Sequence, residues 1–187
     1  MAHDPEVTEE KLQNCPKVTV WCGMTATMVI GPYLLRDTMN AECCLQILED
    51  YMWPTLSGCE NTDELVFMHD GAPPHFALGV RAWLYQKFPG RWLGRRGPHE
   101  WPAKSPDLTP CDFSLWGWVK EEVYQAKPRT MEQLEDRIRN VIINAPHEFL
   151  QKTVDSMPGR LRKMVDAAGA YIEFSAMHPY SHLKTYM

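Results

Sequence analysis

Val66-Phe67-Met68-His69-Asp70-Gly71-Ala72-Pro73-Pro74-His75 is the stretch that decides the fold. Leu65 to His69 is a short apolar run with helical patterns before and after it. That arrangement predicts a buried strand, central and parallel, in an α/β sheet. Asp70 ends the strand, so its carboxylate emerges at the edge where ligands gather in open α/β sheets. Two readings are open for it. Asp70 is a metal ligand, or it caps the turn into the next helix through an Asx bond in Asp70-Gly71.

Working outward, Pro74 to Lys87 predicts a helix, with Ala77, Val80, Trp83 and Leu84 apolar at helical spacing. Arg91-Trp92-Leu93-Gly94 predicts a short strand, and a proline-rich loop runs from Gly97 to Pro110. Upstream, Val18–Gly23 is rich in β-branched and aromatic residues and is stopped by glycine. Met28–Leu35 predicts a second strand antiparallel to it, with Pro32 marking an edge or a bulge. Asn40 caps a helix to about Trp53, with Cys44, Leu45, Leu48 and Met52 on one face. Towards the C-terminus, Asp112 opens a helix to about Gln125. Thr130 and Gln133 form a capping box for the next, whose face carries Leu134, Ile138, Val141 and Ile142. A last helix spans about Pro146 to Ala168, broken near Pro158. The expected organisation is a polar segment at 1–16, a domain at 17–174 and a tail at 175–187.

Asp112 is the second candidate acid. It closes Ser105-Pro106-Asp107-Leu108-Thr109-Pro110-Cys111-Asp112 at the mouth of a helix, where aspartate is also a preferred N-cap. Carboxylates converging from separate elements are how a two-metal phosphoryl-transfer site is built. Such a site takes about three acidic ligands, and only two stand in suitable contexts here. His69 and His75 flank Asp70, to orient a phosphate or a metal-bound water, or as structural residues. The densest basic tract is Arg91-Trp92-Leu93-Gly94-Arg95-Arg96-Gly97, with Lys104 nearby. Arginines beside glycine and an aromatic suit a phosphate backbone, and a solvated loop is the bland alternative. Trp116 and Trp118 are expected in the core.

The 187 residues suffice for one domain with a full core, and 44% hydrophobic content with 11% aromatics argues for a folded chain over a disordered one. A net charge of −5 gives no global pull toward nucleic acid, so any such role rests on local patches. The six cysteines form no Cys-x-x-Cys pair and are expected as free thiols in a reducing compartment. No apolar run reaches the roughly 18 residues of a membrane helix, and the polar, acidic start does not read as a signal peptide.

Taken together, three stretches resemble the catalytic domain of mariner-superfamily transposases. They are His69 to Ala77, then Phe88-Pro89-Gly90-Arg91-Trp92-Leu93-Gly94-Arg95-Arg96-Gly97-Pro98, then Trp101-Pro102-Ala103-Lys104-Ser105-Pro106-Asp107-Leu108-Thr109-Pro110-Cys111-Asp112-Phe113. Val18–Gly23 and Ile30–Tyr33 match the strands upstream in that family. Val123-Tyr124 and Gly169–Glu173 match its C-terminal part. The resemblance implies a ribonuclease H-like fold, a mixed sheet with flanking helices, and DNA cut-and-paste by phosphoryl transfer. It implies magnesium or manganese on an acidic triad, with Asp70 as the second member and Asp112, rather than Asp107, as the third. It also implies a nuclear location and DNA as partner, for which the local reading of the residues offers Arg91, Arg95, Arg96, Lys104 and His75 as contacts. A homodimer is a further implied partner, and no membrane is. The family's first triad aspartate lies on a strand upstream of Val18, which this chain begins too late to include, and Asp4 is no substitute for it. The expected sheet lacks its first strand, and the expected chain is inactive. Two alternatives stay open: a non-enzymatic nucleic-acid- or protein-binding module, and a metal-dependent nuclease with a third acid such as Glu121 or Glu122.

Overall fold

A computed structural model describes residues 18–102, 105–167 and the pair 185–186. Strand β1 (Thr19–Met24) and strand β2 (Val29–Leu35) form an antiparallel hairpin. Side chains alternate across β1, as a strand requires. Trp21 turns to one core, and Val20 and Cys22 turn to the other. The predicted irregularity at Pro32 is present as a register shift between Trp21 and Gly23, opposite a cis Gly31-Pro32 peptide. Gly31 has φ +133°, and a Cβ there would meet the Cys22 sulfur at 3.0 Å, so the position accepts only glycine without strain.

On the Trp21 side lies the helix α1, in three continuous stretches: Ala41–Gln46, a wide π stretch Ile47–Met52, and Trp53–Ser57. Asn40 caps it as expected, its side-chain oxygen accepting from the Cys43 N–H at 2.8 Å. α2 (Leu78–Lys87) packs beside it through Val80, Trp83 and Leu84. On the opposite side lie α3 (Trp116–Gln125), entered through a π turn at Cys111–Leu115, and α4 (Met131–Ile143). Leu134, Ile138, Val141 and Ile142 of α4 face Val18, Val20 and Cys22. The sheet is thus covered on both faces, the layering that buries each apolar stripe of an α/β domain. Two further helices follow, α5 (His147–Asp155) and α6 (Met157–Asp166), divided at Ser156 next to Pro158 as predicted.

The strand at the centre of the sequence reading is shorter than expected. β3 is only Phe67–Met68, paired parallel with β4 (Trp92–Leu93). Val66 is 56% exposed, so the apolar run is not buried throughout. The second difference is between β3 and α2. Pro73–Phe76 forms a 3-10 turn, and Ala77 is extended at ψ 149° before the helix starts at Leu78. The tight turn swings His75 inward, which a continuous helix from Pro74 would not do.

β3–β4 and β1–β2 are separate ladders. Between them lies a cavity of about 330 Å³, lined by Trp21, Cys22 and Met24 on one side and Phe67 and Met68 on the other. On that edge of β1, the pair β5 (Thr185–Tyr186) bonds parallel to Val20 and Trp21. The expectations for residues 1–16, including Asp4, and for Gly169–Glu173 lie outside the described residues.

Candidate active site

Asp70 follows β3, and its position is fixed by its neighbours. Oδ1 accepts from the Ala72 N–H at 2.9 Å, the Asx bond open in the sequence, and sits 2.5 Å from His75 Nδ1. A carboxylate only accepts, so Nδ1 carries the proton. Burial pushes the Asp70 carboxyl up, but the His75 hydrogen bond and charge, with the Ala72 N–H, bring it below the ordinary value. Both bonds fall on one oxygen, which leaves Oδ2 for the space in front of the strand.

Asp112 approaches from the other wall. It lies inside the π turn rather than at its cap, and its N–H donates to the Thr109 carbonyl at 2.8 Å. The N-cap position belongs to Pro110, so capping does not account for this aspartate. Although Asp112 keeps an exposed side, its carboxyl is pushed up to about 6, first by lost solvation against the surrounding protein and second by the negative charge of Asp70. The nearby Thr109 hydroxyl and Lys120 pull the other way. Lys120 is itself pushed down by burial.

Asp70 and Asp112 line one cavity of about 490 Å³, with Gly71, Arg95, Glu100, Trp101 and Ser105. Asp107 is buried elsewhere, its carbonyl accepting from Arg160 at 3.0 Å. Neither Glu121 nor Glu122 lines the cavity, so the acids named for the nuclease alternative are misplaced. Glu100 is the acid on the rim, and sequence reasoning missed it. Its side chain accepts from the Arg96 N–H at 3.0 Å, a contact set by the loop's path and by no motif.

The basic tract divides. Arg91 donates to the Leu65 carbonyl at 2.6 Å and the Thr62 carbonyl at 3.4 Å, and so braces the entry to β3 rather than facing a ligand. His75 is buried at 2% exposure and faces Asp70, not solvent. Both depart from the expected DNA contacts, because partners within the fold take up the Arg91 guanidinium and the His75 Nδ1. Arg95 and Arg96 are exposed and lie over the Phe76 ring at 4.3 and 5.4 Å. Lys104 lies outside the described residues.

No protein-family model matches the chain. The Tc1 transposase of Caenorhabditis elegans is 30% identical over 155 residues, which is 81% of this chain and 52% of the relative. The mariner Mos1 transposase of Drosophila mauritiana is 28% identical over 109 residues, 58% of this chain and 30% of the relative. The Mos1 catalytic domain solved with raltegravir and magnesium matches with TM-score 0.67 at 25% identity, covering 81% of this chain and 75% of that one. The chain is a homologue of the Tc1/mariner transposases. Its fold is the ribonuclease H-like fold of the Mos1 catalytic domain. A Mos1 paired-end complex with manganese matches with TM-score 0.68 at 26% identity, over 81% of this chain and 44% of that one. The chain spans about half the length of the curated relatives it matches first, 52% of the Tc1 transposase. No helix among the described residues is long and apolar enough to cross a membrane.

Proposed function

We propose that this transposase-like domain is a DNA-processing module in which Asp70 and Asp112 hold a divalent cation. One observation carries the proposal: two carboxylates from separate elements open on one cavity that also carries an arginine on its rim. The donors fit the ion. Asp70 Oδ2 and Asp112 offer only oxygen, as magnesium and manganese prefer. A bound cation supplies Lewis-acid stabilisation of charge on a phosphoryl oxygen. The chain's own residues do the rest. His75 and the Ala72 N–H hold Asp70 in one orientation. Arg95 and Arg96 offer guanidinium groups to a phosphate backbone, the contact that positions duplex without reading sequence. DNA as partner and the nucleus as location follow from that reading.

We further propose that the 187-residue chain by itself neither cuts nor joins DNA. Two carboxylates hold one hydrated ion but do not fix ions on both the attacking and leaving oxygens. A loss of about 4 kcal/mol in transition-state stabilisation already lowers a rate about a thousandfold. The test incubates the purified chain with terminal-inverted-repeat and random duplexes in magnesium and in manganese. Intact DNA is expected, together with manganese binding that Asp70→Asn and Asp112→Asn each weaken. Cleavage abolished by Asp70→Asn would overturn the silence, and manganese binding indifferent to both variants would overturn the site.

The exposed pair Arg95 and Arg96 equally supports a non-enzymatic nucleic-acid-binding module. In that case DNA affinity survives while manganese binding at the carboxylates is absent. The nuclease alternative now rests on Glu100 as third acid, and it requires cleavage that Glu100→Gln removes.

A further inference from the structure

Behind Asp70, three side chains converge whose remaining donor atoms the carboxylate site leaves unused. Cys44 comes from the first stretch of α1, His69 from the end of β3, and His75 from the 3-10 turn before α2. All three are at most 2% exposed. One donor atom from each lies within 4.8 Å of the other two. The imidazoles stack with centroids 3.9 Å apart and planes 6° from parallel. His75 Nδ1 is taken by Asp70, while His69 Nδ1, His69 Nε2 and His75 Nε2 are buried with no hydrogen-bond partner. Three orphaned nitrogens in one cluster carry a desolvation penalty that packing does not return.

We infer that Cys44, His69 and His75 form a three-ligand site for a zinc-like cation, with a fourth position left for water. The donor set selects the ion. One thiolate sulfur and two imidazole nitrogens suit zinc, whereas magnesium asks for oxygen. The outer shell also fits. Asp70 holds the His75 proton on Nδ1 and so presents Nε2 as a lone pair, the carboxylate–histidine arrangement found behind metal ligands. Parallel rings send their lone pairs side by side. Convergence on one ion therefore requires His69 to turn out of the stack, and the 4.8 Å limit on the donor separations is the distance it has to close. Binding forms a zinc–sulfur bond and releases the thiol proton, together with any proton held on a coordinating nitrogen. The site uses other ligand atoms than the Asp70 and Asp112 cavity and a different class of ion, and Asp70 is the one residue that the two share.

The test adds cobalt(II), then zinc(II), to the full chain at neutral pH. One equivalent of cobalt should give tetrahedral visible bands and a sulfur-to-cobalt charge-transfer band, both bleached by zinc and untouched by excess magnesium. Cys44→Ser should remove the charge-transfer band, while Cys43→Ser and Asp112→Asn keep it. Asp70→Asn should weaken zinc about 10–100-fold, the usual effect of losing an outer-shell partner. No charge-transfer band in the folded chain, or a band that survives Cys44→Ser, would overturn the inference in favour of a buried water. If Cys44→Ser does not fold, X-ray absorption on the zinc-loaded unaltered chain decides. A sulfur shell supports the site, and light scatterers alone overturn it.

Discussion

At Asp112 the proposed metal binding and the stability of the fold oppose one another. Its carboxyl is pushed up to about 6, whereas an unfolded aspartate titrates near 3.9. Between about pH 4 and pH 6 the folded chain therefore holds a proton that the unfolded chain has lost. Stability contributed by this group is present at low pH and declines as pH rises through that window. A cation reverses the balance, because it binds the ionised form. Manganese affinity should thus climb about tenfold per pH unit below pH 6 and level off above it. A flat profile from pH 4.5 to 7.5 would show that Asp112 is not a ligand. Asp112→Asn should stabilise the metal-free chain at pH 7, by no more than about 1 kcal/mol because the side chain stays open to water. Thermal melts in chelator check this, and a lowered midpoint would contradict it.

The elements differ in how much of them local sequence dictates. α4 is legible throughout. Thr130 accepts from the Gln133 N–H at 3.2 Å, and the four apolar positions predicted to face inward are all buried. Gln133 departs in one detail, reaching back to the Arg129 N–H rather than that of Thr130. There, period, cap and burial agree. β3 is shorter than its sequence suggests, because an apolar run without alternation does not say where pairing stops. The π turn around Asp112 leaves no local signature. Arg91 is unreadable for another reason: its partner Leu65 lies 26 residues away, and only the tertiary fold brings them together. β4 shows a tolerance that sequence does not reveal. A Cβ on Gly97 would lie 2.6 Å from the Trp92 ring, and one on Gly94 2.8 Å. Trp92 is fully buried and has no room to retreat. Gly97→Ala should cost about 1–3 kcal/mol in denaturant unfolding, the usual range for an overpacked core. A change below about 0.5 kcal/mol, the spread of neutral surface variants, would mean that the loop yields instead.

Over the whole molecule, a net charge of −5 means that the proposed DNA affinity rests on local groups, Arg95 and Arg96. Binding to random duplex should be weak and steeply salt-dependent. Replacing both arginines with alanine should reduce the slope of log K against log salt by roughly 0.9 for each phosphate that they neutralise. An unchanged slope would place the DNA contacts elsewhere.

The interruption between the β1–β2 hairpin and the β3–β4 pair also affects how the molecule opens. A continuous sheet shares its backbone bonds among all its strands and tends to exchange its amides as a unit. Here the β3–β4 pair is held by few inter-strand bonds, among them Phe67 N–H to Arg91 and His69 N–H to Leu93. The hairpin spans a register from Thr19 opposite Leu35 to Met24 opposite Val29. The two ladders should therefore exchange hydrogen with different opening free energies, the shorter one first. Deuterium uptake followed by peptide should show 65–69 and 91–94 labelling ahead of 19–24, and equal rates would mean that the apolar cores weld the two ladders into one cooperative unit. If they do label first, the strand that presents Asp70 belongs to the part of the fold that opens most readily.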